Sequence, residues 1–195
     1  MRFRFSVILL VTLLCGTVMA QTRPLPAKEE KTREWKQFSS SEGQFTVSVP
    51  GDPMADVATV GTTVGPLKTH FFVVQTDPFL YYISYADLSV FPQTPAENKT
   101  ALEQTRDRTA AKGTLLSEND VTFDGIAGKE VVVDRYGMIL KGRFFYAKGR
   151  LYHIIFTAPT NVAFRDGKPS TNPADRTELF ETASKRFFDS FKLTK

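Results

Sequence analysis

Two histidines are the residues of this chain best suited to metal or acid–base chemistry, and they lie far apart in the sequence. His70 and His153 each fall inside a predicted strand, and neither belongs to an HxH or HExxH pattern. A zinc site usually takes three or four ligands from histidine, cysteine and carboxylates. We therefore expect both histidines to be ordinary strand residues, and we predict no metal site.

Catalytic residues are equally hard to assign from the sequence. Serines are numerous, but no Gly-x-Ser-x-Gly elbow occurs, and a triad is recognised by geometry rather than by sequence position. Glu118, Asp120 and Asp124 could supply paired carboxylates, yet they surround a predicted hairpin, where aspartate commonly forms turns. We predict no catalytic residue and keep an enzyme as the third hypothesis.

Phosphate and nucleic-acid sites also lack a sequence signal. The segment Gly61-Thr62-Thr63-Val64-Gly65 is rich in glycine, but it precedes no predicted helix and lacks the lysine of a P-loop. Without Arg2 and Arg4, the chain has 23 Lys and Arg and 21 Asp and Glu. This small excess of positive charge does not indicate the clustered basic surface that nucleic-acid binding requires. We predict no cofactor and no nucleic-acid partner.

Residues 1–20 have the order of a secretory signal peptide. Arg2 and Arg4 precede the apolar run 6–14, and Val18-Met19-Ala20 places small or modest residues at a cleavage site. The run is too short for a transmembrane span. A retained anchor and a lipid on Cys15 are the alternatives. We expect cleavage after Ala20 and a mature protein in the periplasm or outside the cell.

The mature chain would contain no thiol, since Cys15 is the only cysteine. Its fold must then be held by an apolar core alone. Residues 21–34 carry prolines and charges with almost nothing apolar, which predicts a flexible linker. A single domain is expected over 35–195.

The clearest strand of the domain is the segment of alternating residues before Pro50. Phe45, Val47 and Val49 alternate with polar residues, and Pro50-Gly51-Asp52-Pro53 ends the strand. We expect it to be the first edge of the domain, with all later strands in the same sheet.

Seven further strands are predicted, and glycine-containing turns separate them. Residues 71–74, 79–87 and 151–156 are apolar on both faces, which is typical of central strands. Asp124-Gly125 predicts a type I′ hairpin turn, whereas Lys148-Gly149 is expected to form a looser one. The further strands span 55–64, 67–76, 79–87, 114–123, 126–135, 138–147 and 150–158, with turns at Gly65-Pro66 and Asp77-Pro78.

Two helices complete the pattern. Thr94 and Glu97 form a predicted capping box before a helix over 95–112, which Gly113 ends. After a loop over 159–171, Asn172 caps a last helix that begins at Pro173. That helix has a bulky apolar face of Phe180, Ala183 and Phe187. Eight strands and two helices predict an α+β domain: a three-layer α/β/α sandwich with an antiparallel sheet and helices on both faces.

A set of turn and core positions runs through most of residues 35–193. It consists of Trp35, Phe38-Ser39-Ser40, Glu42-Gly43, Phe45, Val47, Pro50-Gly51-Asp52-Pro53, Gly125-Ile126-Ala127-Gly128-Lys129-Glu130, the strand around Tyr152, and Phe187-Phe188-Asp189-Ser190-Phe191. In these positions the chain resembles bacterial exported proteins of the Mog1/PsbP fold. The resemblance implies a binding or accessory module more often than an enzyme.

These observations favour an exported, non-enzymatic binding or accessory module of the cell envelope, whose partner is an envelope protein. Most of the fifteen phenylalanines after Ala20 fall in predicted strands or on the last helix, where they are expected to form a core. A small apolar pocket between the last helix and the sheet is the alternative, and it would indicate a carrier of a small apolar ligand or lipid. An exposed apolar patch would instead indicate a protein partner.

Overall fold

The computed structural model describes residues 34–62, 65–76, 78–89, 94–111, 113–160, 163–165, 168–170 and 173–194. The chain divides into two units, Met1–Lys31 and Thr32–Lys195, and everything below concerns the second. The predicted signal peptide over 1–20 and nearly all of the predicted linker over 21–34 lie outside the described residues. Asp77 and the predicted helix cap Asn172 also lie outside them.

Twelve strands and two helices occur in the described part of the chain. In order they are β1 Lys36–Ser40, β2 Phe45–Val49, β3 Met54–Thr62, β4 Gly65–Gln75, β5 Leu80–Asp87, α1 Pro95–Ala110, β6 Thr114–Phe123, β7 Ile126–Arg135, β8 Met138–Ala147, β9 Arg150–Pro159, β10 Ala163–Arg165, β11 Lys168–Ser170, α2 Pro173–Ser190 and β12 Lys192–Leu193.

A seven-stranded antiparallel sheet forms the body of the domain. Its order is β3-β4-β5-β9-β8-β7-β6, so β9 is the middle strand and β5 lies beside it. The prediction that these two apolar strands are internal is therefore confirmed. A second sheet has the order β1-β2-β12, and β10 pairs with β11 separately.

The position of β2 differs from the prediction. Phe45, Val47 and Val49 are fully buried, as their alternation predicts. However, β2 is the middle strand of the three-stranded sheet and not an edge of the large one. Its neighbours are β1, which is too polar to predict as a strand, and β12 from the end of the chain. The pairing of β2 with β12 joins residues from opposite ends of the domain, so no short-range pattern in the sequence indicates it.

Strands β6 to β9 form a meander with a two-residue turn every twelve residues. The turn pairs are Asp124-Gly125, Tyr136-Gly137 and Lys148-Gly149, and all six residues have positive φ. This is the backbone of type I′ turns. The predicted turn at Asp124 is confirmed, while the looser turn expected at Lys148 is wrong, because Ala147 pairs directly with Arg150.

Other boundaries differ in smaller ways. Gly65 and Pro66 begin β4, paired with Thr62 and Gly61, and are not a turn. The predicted loop over 159–171 contains the β10–β11 hairpin. Both short strands depend on each other for pairing, so neither stands out in the sequence.

The two helices begin where the sequence predicts. The capping box of Thr94 and Glu97 is present, but α1 ends at Ala110, two residues early. Helix α2 begins at Pro173 and ends at Ser190. Neither helix in the described ranges combines the length and hydrophobicity that crossing a bilayer requires.

The largest core lies between the two sheets and α2. Phe187, Phe188 and Phe191 are almost completely buried in it, together with Tyr152 and Phe156. A smaller cluster contains Val131, Val133 and Phe144, with Leu102 and Ala110 of α1 packed against it. The domain is thus an α+β fold of antiparallel sheets with two helices.

Candidate functional site

The edge strands of the two sheets, β1 and β3, lie on either side of one open groove. Its volume is about 600 Å³. Strand β1 and the turn after it form one wall, and residues 55–57 of β3 form the other. Phe38 of β1 packs over Phe72 of β4, with ring centroids 5.0 Å apart. His70 of β4 completes the floor.

His70 is held at the floor by a ring and a carboxylate. Its imidazole stacks on Tyr85 with centroids 4.7 Å apart and planes at 10°. Its Nε2 lies 3.5 Å from Oε1 of Glu42, and the Glu42 side chain is largely exposed. The carboxylate of Glu42, which solvent or a ligand can reach, therefore lies beside a shielded histidine.

Tyr85 is buried beneath this pair. Its hydroxyl oxygen has no hydrogen-bond partner among the described residues. Burial is the main cause that raises the pKa of Tyr85 to about 12, and the nearby carboxylate of Glu42 adds to it. The phenol stays neutral at physiological pH, so it provides a packing surface and no charge.

The turn after β1 is fixed by contacts to the large sheet. The Tyr152 hydroxyl donates to the Gly43 carbonyl at 2.9 Å, and the Gly43 amide donates to Oγ of Ser40 at 2.9 Å. A Cβ at position 43 would lie 2.7 Å from the rings of Phe45 and Tyr85. Only glycine fits there without displacement, and the turn thereby places residue 42 over the groove.

Strand β3 presents an unusually unprotected edge. Met54, Val57 and Val60 are 73%, 46% and 39% exposed. Edge strands usually carry lysine, proline or bulges that prevent pairing with other chains. The nine residues of β3 contain no lysine, arginine or proline, and Asp56 is their only charge. An exposed apolar strand edge of this kind is a site for another strand.

The groove brings together carboxylates, serines and a histidine, which raises the question of catalysis. Glu42, Asp56 and His70 all line it. However, Oδ1 of Asp56 accepts the Val57 amide at 2.7 Å, and Oγ of Ser40 accepts a backbone amide. Within residues 34–62 and 65–76, no serine hydroxyl is hydrogen-bonded to His70. A nucleophile paired with a base, which covalent catalysis requires, is not assembled there.

The two histidines lie apart, on different sides of the large sheet. His153 packs edge-on against Phe144 at 5.3 Å between ring centroids, in the region where α1 covers the sheet. Burial, with a smaller effect from Arg108, lowers its pKa to about 4. In the described part of the chain, no three His, Cys, Asp or Glu side chains lie close enough together to hold a metal ion.

The candidate carboxylates are structural. Glu118 and Asp120 both bind Lys129 Nζ at 3.0 Å, and Asp124 occupies its turn at φ 47°. They lie on or beside β6, at the opposite edge of the sheet from the groove. Sequence reasoning missed the groove itself, because Glu42 and His70 meet only when one sheet packs on the other.

A second, smaller pocket lies between α2 and strands β6 to β9. Its volume is about 220 Å³, and Phe123, Phe145, Ile154 and Phe188 line it. The guanidinium of Arg143 lies over the Phe188 ring, 4.7 Å from its centroid. An apolar pocket therefore exists between the last helix and the sheet, with one cation at its wall.

No protein-family model matches the chain, and no curated protein matches its sequence. Among solved structures, the chain is similar to the cyanobacterial PsbP (CyanoP) of Synechocystis sp. PCC 6803. The sequence identity is 9% and the TM-score 0.51, over 83% of this chain and 93% of that one. It is also similar to a Pseudomonas aeruginosa protein of unknown function, at 16% identity and a TM-score of 0.38, over 78% and 92%. The likeness to CyanoP agrees with the resemblance seen in the sequence: the domain has a PsbP-like fold.

Proposed function

We propose that this protein is an exported, non-enzymatic binding or accessory module of the cell envelope, which holds an extended segment of a partner protein between β1 and β3. The observation that carries the proposal is that two strand edges, neither paired with another strand in the described part of the chain, border one groove. Strand addition uses the backbone of an open edge for affinity and adjacent side-chain pockets for specificity. The exposed apolar side chains of β3 supply surface that a partner would bury.

Export to the periplasm or beyond is supported by the charged, apolar and small-residue order of residues 1–20. Mass spectrometry of the exported protein should find Gln21 at its N-terminus. A mature protein that retains Met1, or that carries a lipid on Cys15, would contradict this part of the proposal.

The same proposal takes the fold to be the three-layer α/β/α sandwich expected from the sequence, with α1 and α2 on opposite faces of the large sheet. Two neighbouring residues of β8 support it, since consecutive strand side chains point to opposite faces. Phe144 belongs to the cluster with Leu102 of α1. Phe145 belongs to the cluster with Phe188 of α2.

A photo-crosslinking amino acid at Val57 tests partner capture. In cells, it should form an adduct with an envelope protein, because Val57 faces the groove at the open edge. The same amino acid at Leu116, which is 54% exposed on edge strand β6, is the matched control. Adducts of equal yield at both positions, or none at Val57, would contradict capture in the groove.

The pocket behind α2 supports a second candidate function, a carrier of a small apolar ligand or lipid. Its volume of about 220 Å³ is smaller than the roughly 300–1,000 Å³ of typical ligand sites. Native mass spectrometry of the protein purified from its own host should then detect a bound small molecule. That mass should be lost when Phe123→Trp fills the pocket, and persistence of the mass in this variant would exclude the pocket as its site.

A further inference from the structure

We infer that the segment held in the groove carries a lysine or arginine opposite Asp56, directly next to an apolar residue that contacts Phe38 and Phe72. This inference rests on the proposed function and names the chemistry of its partner. It follows from the backbone of β3, from the charges of the groove and from the alternation of side chains in a strand.

Asp56 occupies the open edge of β3. Its Oδ1 accepts the Val57 amide at 2.7 Å, so that amide points away from β4 and toward the free edge. Strand addition needs the same amide for the backbone of the incoming segment. The carboxylate of Asp56 must therefore give up its donor, and a cationic side chain on the segment would supply a replacement.

The charges of the groove favour such a cation. Glu42 and Asp56 are acidic, and no lysine or arginine is among the described residues that line the groove. Lys36, two residues before Phe38 in β1, pairs with Asp52. An acidic segment would place like charges together, which weakens association, whereas a basic one is attracted.

The apolar neighbour follows from strand geometry. Ala55 and Val57 pair with Phe72 and His70 across the ladder, so they share the face toward the groove floor. Asp56 lies on the opposite face, because consecutive residues of a strand alternate. In an added strand, the side chain opposite Asp56 lies on the same face as Asp56, and the side chain of its immediate neighbour lies on the other face. The neighbour then faces the Phe38–Phe72 floor.

A charge-swap experiment tests the inference. The probe is a fluorescent seven-residue peptide of threonines with a central valine–lysine pair, and its partner probe has glutamate in place of lysine. Fluorescence anisotropy at low salt should give about tenfold tighter binding of the lysine peptide. The Asp56→Lys variant should reverse this preference. The Asp120→Lys variant, which changes an exposed carboxylate on β6, should leave it unchanged.

The outcomes separate the inference from the function on which it rests. Binding of neither peptide would overturn both. Equal binding of the two peptides, competing with each other at the groove, would overturn the inference and leave the function intact.

A photo-crosslinker at Val57 identifies any other occupant. A dimer mass would assign the edge to a second copy of this chain, and an internal link to residues 21–33 would assign it to the chain's own N-terminal segment. Either result would overturn the inference. An adduct with the lysine peptide, lost when its valine becomes serine, is the expected result.

Discussion

At the scale of the residue, three positions of the β6–β9 meander are set by turn geometry. Each turn has two residues with positive φ, and in each the second is glycine: Gly125, Gly137 and Gly149. Their surroundings differ. Gly125 has open space where a Cβ would lie, whereas a Cβ at Gly149 would come within 3.0 Å of the Cβ of Ser89. The segment at Ser89 is held in place, since the Leu88 amide donates to the Gly149 carbonyl at 2.7 Å.

We therefore predict that Gly149→Val lowers the free energy of unfolding more than Gly125→Val does. Both variants place a β-branched residue at positive φ, at a cost of about 1–3 kcal/mol. Only Gly149→Val also collides with Ser89. A looser turn at Lys148 would have given the opposite order. Urea denaturation of both variants measures the difference. Equal unfolding midpoints, or a lower midpoint for Gly125→Val, would contradict the contact with Ser89.

At the scale of the element, α2 and the turn after β1 are each attached to the large sheet by a few buried contacts. Phe187 of α2 is fully buried and contacts Tyr81 at 5.2 Å between ring centroids. Lys185, two residues earlier, is exposed and pairs with Asp189 along the helix. Tyr152 of β9 connects the large sheet to the turn at Gly43.

Phe187→Ala should lower the free energy of unfolding by about 3–5 kcal/mol, because it empties an aromatic site in the core. Lys185→Ala is the control for this variant. It should change the free energy of unfolding by less than about 0.5 kcal/mol, since only an exposed ion pair is lost. Thermal and chemical denaturation measure both. An unchanged melting temperature for Phe187→Ala would mean that this face of α2 is not packed on the sheet.

Tyr152→Phe should lower the free energy of unfolding by about 1–3 kcal/mol, since it leaves the buried Gly43 carbonyl without its donor. Tyr136→Phe is a suitable control, because Tyr136 is largely exposed and should tolerate the change. The Tyr152 variant should also weaken binding of the lysine peptide, because the turn places Glu42 at the groove. Full stability in Tyr152→Phe would show that this hydrogen bond is not required.

At the scale of the whole molecule, burial makes stability depend on pH. The pKa of His153 is lowered from 6.5 to about 4, chiefly by burial and then by Arg108. Between these values the unfolded chain binds a proton that the folded chain does not. The free energy of unfolding should therefore fall as the pH drops from above 6.5 to about 4.

The His153 contribution amounts to about 3–3.5 kcal/mol, at about 1.4 kcal/mol for each pKa unit over the shift from 6.5 to about 4. The His153→Phe variant should remove this part of the slope and leave the part due to carboxylates. Urea midpoints measured across the range from pH 4 to pH 8 test it. Parallel curves for the wild type and the variant would show that His153 titrates normally in the folded protein.

The sequence by itself determined the features that depend on residues close together in the chain. Alternation in residues 45–49, the Asp124-Gly125 turn, the capping box at Thr94 and the buried face of α2 all follow from short-range patterns, and the structure shows each of them. Hydrogen bonds within a helix, a turn or a hairpin join residues that are close in sequence. Both residues of each such contact can therefore be identified from one short segment of the sequence.

Tertiary structure decided the rest. It separated β2 from the large sheet and joined it to β1 and β12, which are polar or very short. It also packed that small sheet on β4, which brought Glu42 over His70 and left the edges of β1 and β3 on one groove. Residues 28 positions apart carry no sign of their contact, because the free energy of packing two sheets is shared among many side chains. The candidate site is made of such contacts, and only the folded chain contains it.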